Sequence, residues 1–480
     1  MVRRLVLGVD SSTQSVKVEA REVGTGEVVA TGSARHPGTT PPVSEQDPLA
    51  WWAALTEAMA SLGSVRDDVV AMSVAGQQHG LVLLDGSGAP VRPAKLWNDT
   101  TSAPQASALV ERFGATTWAQ RTGSVPVAAF TITKLAWVAE HEPDVLERTE
   151  SVMLPHDHLT WRLTGAHVTD RGDASGSGWF DPTTGAILDD LLAAATGGDG
   201  ATWAERVPTV LGPGECAGAL TDDAGRALGL RAGIPVGPGS GDNMGAAMGL
   251  GLVAGDVAVS LGTSGTVFAV SATSTHDVTG AVAGFASATG SFLPLVCTLN
   301  ATKVTDTVAR WLGTDPHGLA TLASAAFDDP GSPMLVPHFD GERTPDLPHA
   351  TGTFVGLTNS TTREQLALAA HDGVLCGVLH GVDALSSVGA TLDGRTFLIG
   401  GGSRSETYRQ RCADLLGVEI VVPEADETVA TGAAAQAAAV LDDVEVSVIA
   451  ERWRLGEGLT VGPRHDGTSI RRRYGEVSPS

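Results

Sequence analysis

The sequence is poor in cysteine and has no long apolar run. Its four cysteines, Cys216, Cys297, Cys376 and Cys412, are widely spaced and form no CxxC pair. This spacing favours free, buried thiols in a reducing compartment over a disulfide framework or a zinc site. No apolar run approaches the roughly 20 residues of a membrane-spanning helix, and the apolar start of the chain reaches Asp10 before a signal-peptide core forms. We therefore expect a cytoplasmic protein with no membrane partner.

Positive charge is also scarce. The chain has 31 Lys and Arg against 55 Asp and Glu, a net charge of −24. This balance argues against a nucleic-acid partner, and the run Arg471-Arg472-Arg473 is interpreted as a solvated segment. An anionic ligand would have to be held by backbone dipoles and a metal. Lys17 and Lys134 are interpreted as structural or surface residues.

What the sequence does contain is enough apolar material for large domains and a pattern that occurs twice. Hydrophobic residues make up 42% of the 480 residues, which allows two large domains or about three smaller ones. Residues 5–20 and residues 256–272 both read as a strand, a hydroxyl-rich turn and a second strand. The offset of 250 residues favours a duplicated domain over two unrelated hairpins.

Each half continues as alternating strands and helices, the pattern of an α/β protein. The predicted elements of the first half are strands at 69–76, 81–85 and 234–239, and helices at 129–141, 155–163 and 244–252. Those of the second half are a helix at 365–388, a strand at 396–399, a loop at 400–403 and a helix at 406–416. The glycine-containing stretch 245–255 is predicted to be a hinge between the halves.

Three turns have the chemistry of a phosphate clamp. They are Ser11-Ser12-Thr13-Gln14, Gly262-Thr263-Ser264-Gly265 and Gly400-Gly401-Gly402-Ser403. Glycine-rich turns expose backbone N–H groups to phosphate oxygens, and hydroxyls add further donors. Taken singly such turns are common, but together they fit a nucleotide held between two domains. The sequence has no GxxxxGK[ST] motif, and Asp242 occupies the last glycine position of a dinucleotide fingerprint, so both of those nucleotide sites are disfavoured.

Two aspartates end predicted strands beside these turns. Asp10 follows the first strand, and Asp242 follows another strand of the same half. Ligands of open α/β sheets bind at such strand ends. One carboxylate could hold Mg²⁺, usually through water, while the other accepts a proton from a hydroxyl. Many aspartates in such positions only cap helices or form turns, but the placement among the three turns favours the functional interpretation.

The ordered segments of the chain resemble the FGGY carbohydrate kinase family. They run through nearly the whole chain: GVDSSTQSVKV (8–18), SEQDPLAWW (44–52), GQQHGLVLLD (76–85), LWND (96–99), FTITKLAWVAEHEP (130–143), LPHDHLTWRLTG (154–165), GSGDNMGAAMGLG (239–251), SLGTSGTVFAVS (260–271), GERTP (341–345), GTFVGLTN (352–359) and IGGGSRSETYRQ (399–410). Within the family, GQQHG and LWND are most similar to the members that act on xylulose.

The resemblance implies a fold of two duplicated ribonuclease-H-like domains of the actin and hexokinase type, with a cleft between them. It implies a sugar-binding and catalytic domain at 1–245 and an ATP-binding domain at 246–480. The implied reaction is ATP-dependent phosphorylation of D-xylulose to D-xylulose 5-phosphate, with ATP as co-substrate and Mg²⁺ as cofactor. The alternatives are a kinase for another ketose or polyol, such as ribulose, and an actin-like or chaperone-like ATPase. A homodimer is left open.

By the same resemblance, individual residues acquire expected roles. Asp242 matches the catalytic base, and Asp10 matches the carboxylate associated with the metal. The sugar is expected to contact Gln78, His79 and Asn243, with Trp97 as a wall of its site. The phosphates and adenosine of ATP are expected near Thr13, Gly262, Thr263, Gly401, Gly402 and Ser403. Gln78 stands where methionine is common in the family, and His156-Asp157-His158 is interpreted as ordinary helix rather than a zinc site.

Overall fold

The computed structural model describes residues 3–327, 329, 331–425 and 427–478. The strands of the first half are β1 (Leu5–Ser11), β2 (Ser15–Glu22), β3 (Val28–Arg35), β4 (Glu45–Gln46), β5 (Val69–Gly76), β6 (Val82–Leu84), β7 (Ala94–Lys95), β8 (Ser151–Met153), β9 (Val168–Asp170), β10 (Thr209–Leu211), β11 (Gly218–Ala219), β12 (Pro235–Val236) and β13 (Ser240–Gly241). Its helices are α1 (Pro48–Ala60), α2 (Ala103–Phe113), α3 (Ala115–Thr122), α4 (Thr131–His141), α5 (Pro143–Arg148), α6 (Pro155–Thr164), α7 (Arg171–Ser175), α8 (Asp189–Thr196), α9 (Gly200–Arg206), α10 (Asp222–Leu228) and α11 (Asp242–Gly249).

The second half repeats this alternation. Its strands are β14 (Val257–Leu261), β15 (Gly265–Ala269), β16 (Ala283–Ala286), β17 (Phe292–Thr298), β18 (Met334–Val336), β19 (Thr353–Val355), β20 (Thr396–Ile399), β21 (Ile420–Pro423) and β22 (Gly458–Val461). Its helices are α12 (Thr302–Trp311), α13 (Pro316–Ser324), α14 (Arg363–Ser387), α15 (Glu406–Leu416), α16 (Thr428–Asp442), α17 (Val446–Arg452) and α18 (Thr468–Val477).

Each half is built on a mixed sheet of the same design. The first sheet has the order β11-β12-β5-β1-β2-β3, and the second has the order β22-β21-β20-β14-β15-β17-β16. In both, the opening hairpin is antiparallel, and its first strand also pairs in parallel with a later strand: β1 with β5, and β14 with β20. An antiparallel edge strand closes the far side of both sheets. The predicted duplication and α/β class are confirmed.

The central strands are apolar because both faces of the sheet are covered. All seven residues of β1 are buried, as expected for a strand with helices on either side. One of these covering helices comes from far along the chain, since α16 packs on β1 and β5. The close approach requires glycine: a Cβ on Gly8 would lie 1.9 Å from the carbonyl oxygen of Ala430. A helix from the second half of the sequence therefore completes the core of the first sheet.

Helices α11 and α16 cross at a glycine contact between the two halves. A Cβ on Gly432 would lie 1.9 Å from the carbonyl oxygen of Gly245, and one on Gly249 would lie 1.9 Å from that of Thr428. Small residues allow the two backbones to touch here. The predicted hinge stretch 245–255 thus begins inside α11, which also runs across the predicted boundary at residue 245.

Most of the predicted elements are present, and three differ. The strand predicted at 234–239 is reduced to β12, because Pro238 has no N–H to donate and both backbone groups of Gly239 bond to the Gln436 side chain instead of to β5. The helix predicted from Met244 begins two residues earlier, at Asp242. The predicted loop 400–403 is largely a 3₁₀ turn over Gly401–Arg404.

The structure also tests the predictions of buried, free cysteines and of a chain without a membrane-spanning helix. All four thiols are free, but only Cys376 and Cys412 are buried, while Cys216 is exposed and Cys297 half-buried. The prediction of buried thiols is therefore wrong for two of the four. Among the described helices, none is long and apolar enough to cross a membrane.

Candidate active site

Two cavities adjoin in the cleft between the halves. The first, here called the polar pocket, has a volume of about 410 Å³ and is lined by Asp10, Ser12, Lys17, Asp242, Asn243, Gly400, Gly401, Ser403 and Thr428, among others. The second, here called the apolar pocket, has a volume of about 270 Å³ and is lined by Gln78, His79, Trp97, Phe130, Asp242, Asn243, Phe285, Cys297 and Arg343, among others. Asp242 and Asn243 line both pockets. Any group transferred between the two pockets would pass these side chains.

Asp242 is the first residue of α11. The short strand β13 pairs in parallel with β5 and brings the chain to the carboxyl edge of the first sheet, where the helix begins. The Asp242 Oδ1 atom accepts hydrogen bonds from the backbone N–H of Asn243 at 2.8 Å and from its side-chain amide at 2.9 Å. Burial, and then the nearby charge of Asp10, raise the pKa of Asp242 to about 7. The carboxyl group can therefore exchange a proton near neutral pH.

Asp10 lies near the end of β1, on the wall of the polar pocket. Its side chain accepts a hydrogen bond from the Ser12 hydroxyl at 2.5 Å and is 4% exposed. Burial raises the pKa of Asp10 to about 6, although the Ser12 bond and the charge of Lys17 act in the opposite direction. Lys17 itself forms an ion pair with Glu427 at 2.6 Å. The carboxylates of Asp10 and Asp242 both face the polar pocket, and such a donor set suits a hard divalent cation such as Mg²⁺.

The loop that leads to Asp242 is held by a residue from the second half. Gln436, in α16, is completely buried. Its side-chain amide donates to the carbonyl of Gly239 at 2.9 Å, and its Oε1 accepts from the N–H of Gly239 at 3.1 Å and from the Ser73 hydroxyl at 2.6 Å. Gln436 therefore fixes the backbone three residues before Asp242. Sequence reasoning missed this residue, because no local motif marks a contact across 197 positions.

His79 occupies the apolar pocket in an unusual backbone conformation, with φ of 63°. Its ring stacks on Phe130 with centroids 5.1 Å apart. The Nδ1 atom lies 2.8 Å from the carbonyl oxygen of Gly176, so this nitrogen carries the proton and donates. Burial, together with the positive charges of Lys134 and Arg343, lowers the pKa of His79 to about 3, although the hydrogen bond to Gly176 acts in the opposite direction. The ring is therefore neutral, and its Nε2 atom is a hydrogen-bond acceptor.

Gln78 is joined to Asp242 through Asn243. The Asn243 side-chain amide donates to Gln78 Oε1 at 2.8 Å as well as to Asp242 Oδ1. The Gln78 Nε2 atom is buried without a hydrogen-bond partner among the described residues. Because a buried, unpaired amide is costly, this donor is suited to a polar ligand in the apolar pocket.

Trp97 and Thr13 lie together at the mouth of the apolar pocket. Trp97 is 40% exposed and lines this pocket, and its indole N–H donates to the Thr13 hydroxyl at 2.8 Å. That hydroxyl in turn donates to Gln77 Oε1 at 3.2 Å. Thr13 is not among the described residues that line either pocket. The structure brings Thr13 to the side of Trp97 rather than to the wall of the polar pocket.

The glycine turns of the second half reach the cleft to different extents. Gly401 and Ser403 line the polar pocket, while Gly402 is buried beneath them. Gly262 and Thr263 form the tip of the β14–β15 hairpin, where Thr263 is exposed, and neither is among the described residues lining a pocket. Four other residues of the same hairpin do reach the cleft: Ser260 and Phe268 line the polar pocket, Ser264 lines the apolar pocket, and Thr266 lines both.

Two lysines were interpreted from the sequence as structural or surface residues, and some residues of the apolar pocket were given no role in the site. Lys134 is completely buried, and its ammonium group donates to the carbonyls of Ala128, at 3.0 Å, and of Ala129. This structural role agrees with the interpretation from the sequence. Lys17 was interpreted in the same way but lines the polar pocket. Phe285 and Arg343 of the apolar pocket were also missed, although the GERTP segment contains Arg343.

His156 lies beneath the site in a cluster of carboxylates. Its Nε2 atom lies 3.1 Å from Asp157, 3.3 Å from Asp170 and 3.3 Å from Asp173. Burial alone would lower the pKa of His156, but the three carboxylates outweigh it and raise the pKa to about 9. The imidazolium therefore compensates buried negative charge. Within the described ranges, no group of three or more His, Cys, Asp or Glu side chains is arranged to hold a metal ion.

The comparisons with known proteins give one consistent answer. Residues 5–249 match the N-terminal domain of the FGGY family of carbohydrate kinases, and residues 257–441 match its C-terminal domain. The chain is 47% identical over 477 residues to the xylulose kinase of Streptomyces coelicolor, covering 99% of this chain and 96% of the relative. It is 36% identical to the xylulose kinase of Escherichia coli, covering 87% of this chain and 86% of the relative.

A solved structure agrees with these relatives. The crystal structure of xylulose kinase from Bifidobacterium adolescentis matches with a TM-score of 0.88 and 41% identity, and the match covers 99% of both chains. The two-domain fold of the sugar kinases, predicted from the sequence, is therefore confirmed. The duplicated sheets, the cleft with its shared aspartate and both domain matches lead to the same conclusion: the chain belongs to the FGGY family of carbohydrate kinases.

Proposed function

We propose that the protein catalyses the ATP-dependent phosphorylation of D-xylulose at its 5-hydroxyl, giving D-xylulose 5-phosphate and ADP. The observation that carries this proposal is that one carboxylate, that of Asp242, lines both the polar and the apolar pocket. A kinase needs such a junction, because its acceptor hydroxyl and the terminal phosphate must meet in line. The named relatives and the hydrogen-bonding side chains of Gln78, His79 and Asn243 in the apolar pocket support xylulose as the acceptor.

The polar pocket is proposed as the ATP site. Its lining combines glycine backbone at Gly400 and Gly401 with the Ser403 hydroxyl, which suits phosphate oxygens. Four further residues are proposed to contact the nucleotide: Gly402, Gly262, Thr263 and Thr13. The proposed division into a sugar-binding domain at 1–245 and an ATP-binding domain at 246–480 follows from the same arrangement, with α16 as the element that crosses between them.

In the proposed mechanism, Asp242 takes the proton of the acceptor hydroxyl. With its pKa raised to about 7, the carboxyl group is a stronger base than an ordinary aspartate and is still substantially ionised at neutral pH. Asn243 holds the Oδ1 atom with two hydrogen bonds, which leaves Oδ2 free to accept the proton. Gln436 keeps the loop before Asp242 in place, so the base does not have to be ordered during the reaction.

Mg²⁺ is proposed as the cofactor, held by Asp10, usually through water. When bound, the metal would neutralise charge on the phosphates of ATP. Asp10 fits this role because its buried carboxylate faces the polar pocket and lies near Asp242, where two negative charges are unfavourable without a cation.

The sugar is proposed to lie in the apolar pocket against Gln78, His79 and Asn243. The unpaired Nε2–H of Gln78 can donate to a hydroxyl, and the Nε2 atom of the neutral His79 can accept from one. A methionine at position 78 would offer no donor, so Gln78 adds a polar contact in this chain. Trp97 would close one side of the pocket.

The proposal is tested by measuring ADP release with pentuloses, hexuloses and polyols. D-xylulose is expected to give the highest kcat/KM, with little ADP release in the absence of sugar. A clear preference for ribulose or a polyol would identify a different acceptor within the family. Rapid ATP hydrolysis that no sugar accelerates would favour an ATPase instead. We propose a cytoplasmic location, where ATP is supplied, and leave a homodimer to be tested by sedimentation.

A further inference from the structure

The apolar pocket has one cationic side chain, that of Arg343, which has no role in the proposed mechanism. Arg343 comes from the second half, in the segment Gly341-Glu342-Arg343-Thr344-Pro345. It lines the apolar pocket opposite Gln78 and His79, which come from the first half. Its side chain is half-buried. The pocket is thus bordered by polar groups from both sides of the cleft.

The segment that carries Arg343 is fixed by its neighbour, Glu342. The Glu342 carboxylate is 4% exposed. Its Oε1 atom accepts from the N–H of Leu299 at 2.6 Å and of Arg343 at 2.8 Å, and its Oε2 atom accepts from the Asn300 amide at 2.9 Å. These bonds tie the segment to the residues that follow β17, which also border the apolar pocket. Since Glu342 is buried and bonded at both oxygens, the position of Arg343 is well defined.

The backbone of the segment is held as well. Glu342 and Leu347 exchange two backbone hydrogen bonds of 2.9 Å, and the Asn300 amide also donates to the carbonyl of Gly341 at 2.6 Å. A turn closed on itself and bonded to the adjacent strand end is pre-organised. The backbone that carries Arg343 therefore does not have to be ordered when a ligand binds.

The Arg343 guanidinium has no ion pair or hydrogen bond with any other residue that the structure describes. In this it differs from the buried Arg411, which bonds to both carboxylate oxygens of Asp372 at 2.8 Å. Within the described lining of the apolar pocket, Asp242 is the only carboxylate and Arg343 the only lysine or arginine. A guanidinium that lines a cleft and has no protein partner can donate hydrogen bonds to a ligand.

We infer that Arg343 is a further substrate-binding residue, which donates hydrogen bonds from the second half of the chain to the oxygen atoms of the ketose. The inference rests on the proposed function of the apolar pocket. A ketose offers a carbonyl and several hydroxyls as acceptors, and a guanidinium can donate to two of them at once. Gln78, His79 and Asn243 would bind the same molecule from the opposite side.

Arg343 is assigned to the sugar rather than to the phosphates because of the pocket that it lines. Asp242 and Asn243 border both pockets, but Arg343 borders only the apolar one among the described lining residues. A sugar that binds residues of both halves stabilises the closed cleft, because only the closed form allows contacts with Arg343 and with the first-half residues at the same time. Binding of the sugar would therefore itself promote closure, before or without ATP.

The test replaces Arg343 with methionine, which keeps the length of the side chain and removes its donors, and with lysine, which keeps the charge. For Arg343→Met, we expect KM for D-xylulose, and Kd measured calorimetrically without nucleotide, to rise by roughly tenfold to a hundredfold. KM for ATP should change by less than about threefold, and Arg343→Lys should fall between Arg343→Met and the unaltered protein. The melting temperature should stay unchanged, because Arg343 has no protein partner to lose.

A matched control is Lys303→Met, which removes one positive charge near the same segment. Lys303 pairs with Asp340 at 2.8 Å and does not line the apolar pocket. The Lys303→Met variant should have the same KM for D-xylulose as the unaltered protein. An unaltered sugar KM and Kd in Arg343→Met would overturn the inference. A second result would also overturn it: an unchanged Kd for D-xylulose together with a lower kcat and weaker inhibition by D-xylulose 5-phosphate. Arg343 would then bind the phosphate and not the sugar. If the unaltered protein releases no ADP with D-xylulose, the proposed function fails instead.

Discussion

Asp10 and Asp242 face the same buried pocket, and the negative charge of Asp10 helps to raise the pKa of Asp242. The two side chains reach this place by different routes, one near the end of β1 and the other at the first turn of α11. An aspartate at a helix N-terminus would normally have a low pKa, because the helix dipole favours the anion. Burial reverses this expectation and gives a carboxylate that can act as a base near neutral pH.

The first prediction concerns pH. The free enzyme needs Asp242 in its ionised form, and the pKa of this group is raised to about 7. The value of kcat/KM for D-xylulose should therefore fall about tenfold per unit as the pH drops below 7, and should level off above it. The measurement is a pH profile at saturating ATP and metal. A flat profile between about pH 5.5 and 8 would show that no group of this pKa limits the reaction.

The second prediction concerns His79. Its neutral ring can accept one hydrogen bond from a sugar hydroxyl through Nε2. His79→Ala should lower kcat/KM for D-xylulose by roughly tenfold to a hundredfold, the effect of losing one hydrogen bond to a desolvated hydroxyl. His141→Ala, at an exposed histidine of α4, serves as the control. A His79→Ala protein with a lower melting temperature but an unchanged KM would reduce His79 to a structural residue.

The third prediction concerns Gln436, which positions the loop before Asp242. Gln436→Ala leaves the Ser73 hydroxyl and both polar groups of Gly239 without their partner. We expect a loss of stability of about 1–3 kcal/mol and, in the folded fraction, a fall in kcat of about tenfold. Gln410→Ala is the matched control, because Gln410 is also buried and bonds to Asp414 and to the carbonyl of Gly462, remote from the cleft. It should lose stability without losing kcat. Equal loss of kcat in both variants would show that Gln436 has no specific role.

The fourth prediction concerns closure of the cleft. Helices α11 and α16 meet backbone to backbone at Gly245, Gly249 and Gly432, so this crossing is the natural pivot between the halves. The radius of gyration from small-angle scattering should be smaller with an ATP analogue and D-xylulose together than with neither. Gly432→Ala places a methyl group against the carbonyl of Gly245 and should reduce this difference. An unchanged radius in the unaltered protein would favour a rigid site.

The parts of the fold that the sequence predicted well are those with local signals. The two hairpins were visible because β1 and β14 are mainly apolar strands followed by hydroxyl-rich turns. The order of the other strands in the two sheets was not predicted, since it depends on pairings between distant segments. The strand predicted at 234–239 is shorter than predicted because Pro238 lacks an N–H and Gly239 bonds to Gln436, a residue that the local apolar pattern does not reveal.

The candidate site was predictable to the extent that its residues lie in recognisable segments. Asp242, Asn243, Gln78 and His79 converge as expected, whereas Thr13 is engaged by Trp97 and Gln77 away from the lining of the polar pocket. Gln436 and Arg343 were missed for a physical reason. Gln436 bonds to Gly239, 197 positions away, and no local motif marks that contact. Arg343 lines the apolar pocket only because folding brings residues 341–345 against the residues that follow β17.

The most direct test of the account separates the two aspartates. Asp242→Asn keeps the shape of the side chain but removes the proton acceptor, so kcat should fall by about 10²–10⁴ while D-xylulose binds nearly as before. Asp10→Asn should instead weaken the metal-dependent step, and excess Mg²⁺ or Mn²⁺ should restore part of its activity. Added metal should not rescue Asp242→Asn, since a cation cannot accept the proton. The measurement is kcat of both variants across a metal titration: the account predicts rescue of Asp10→Asn alone, and a near-normal kcat in Asp242→Asn, or its rescue by metal, would contradict it.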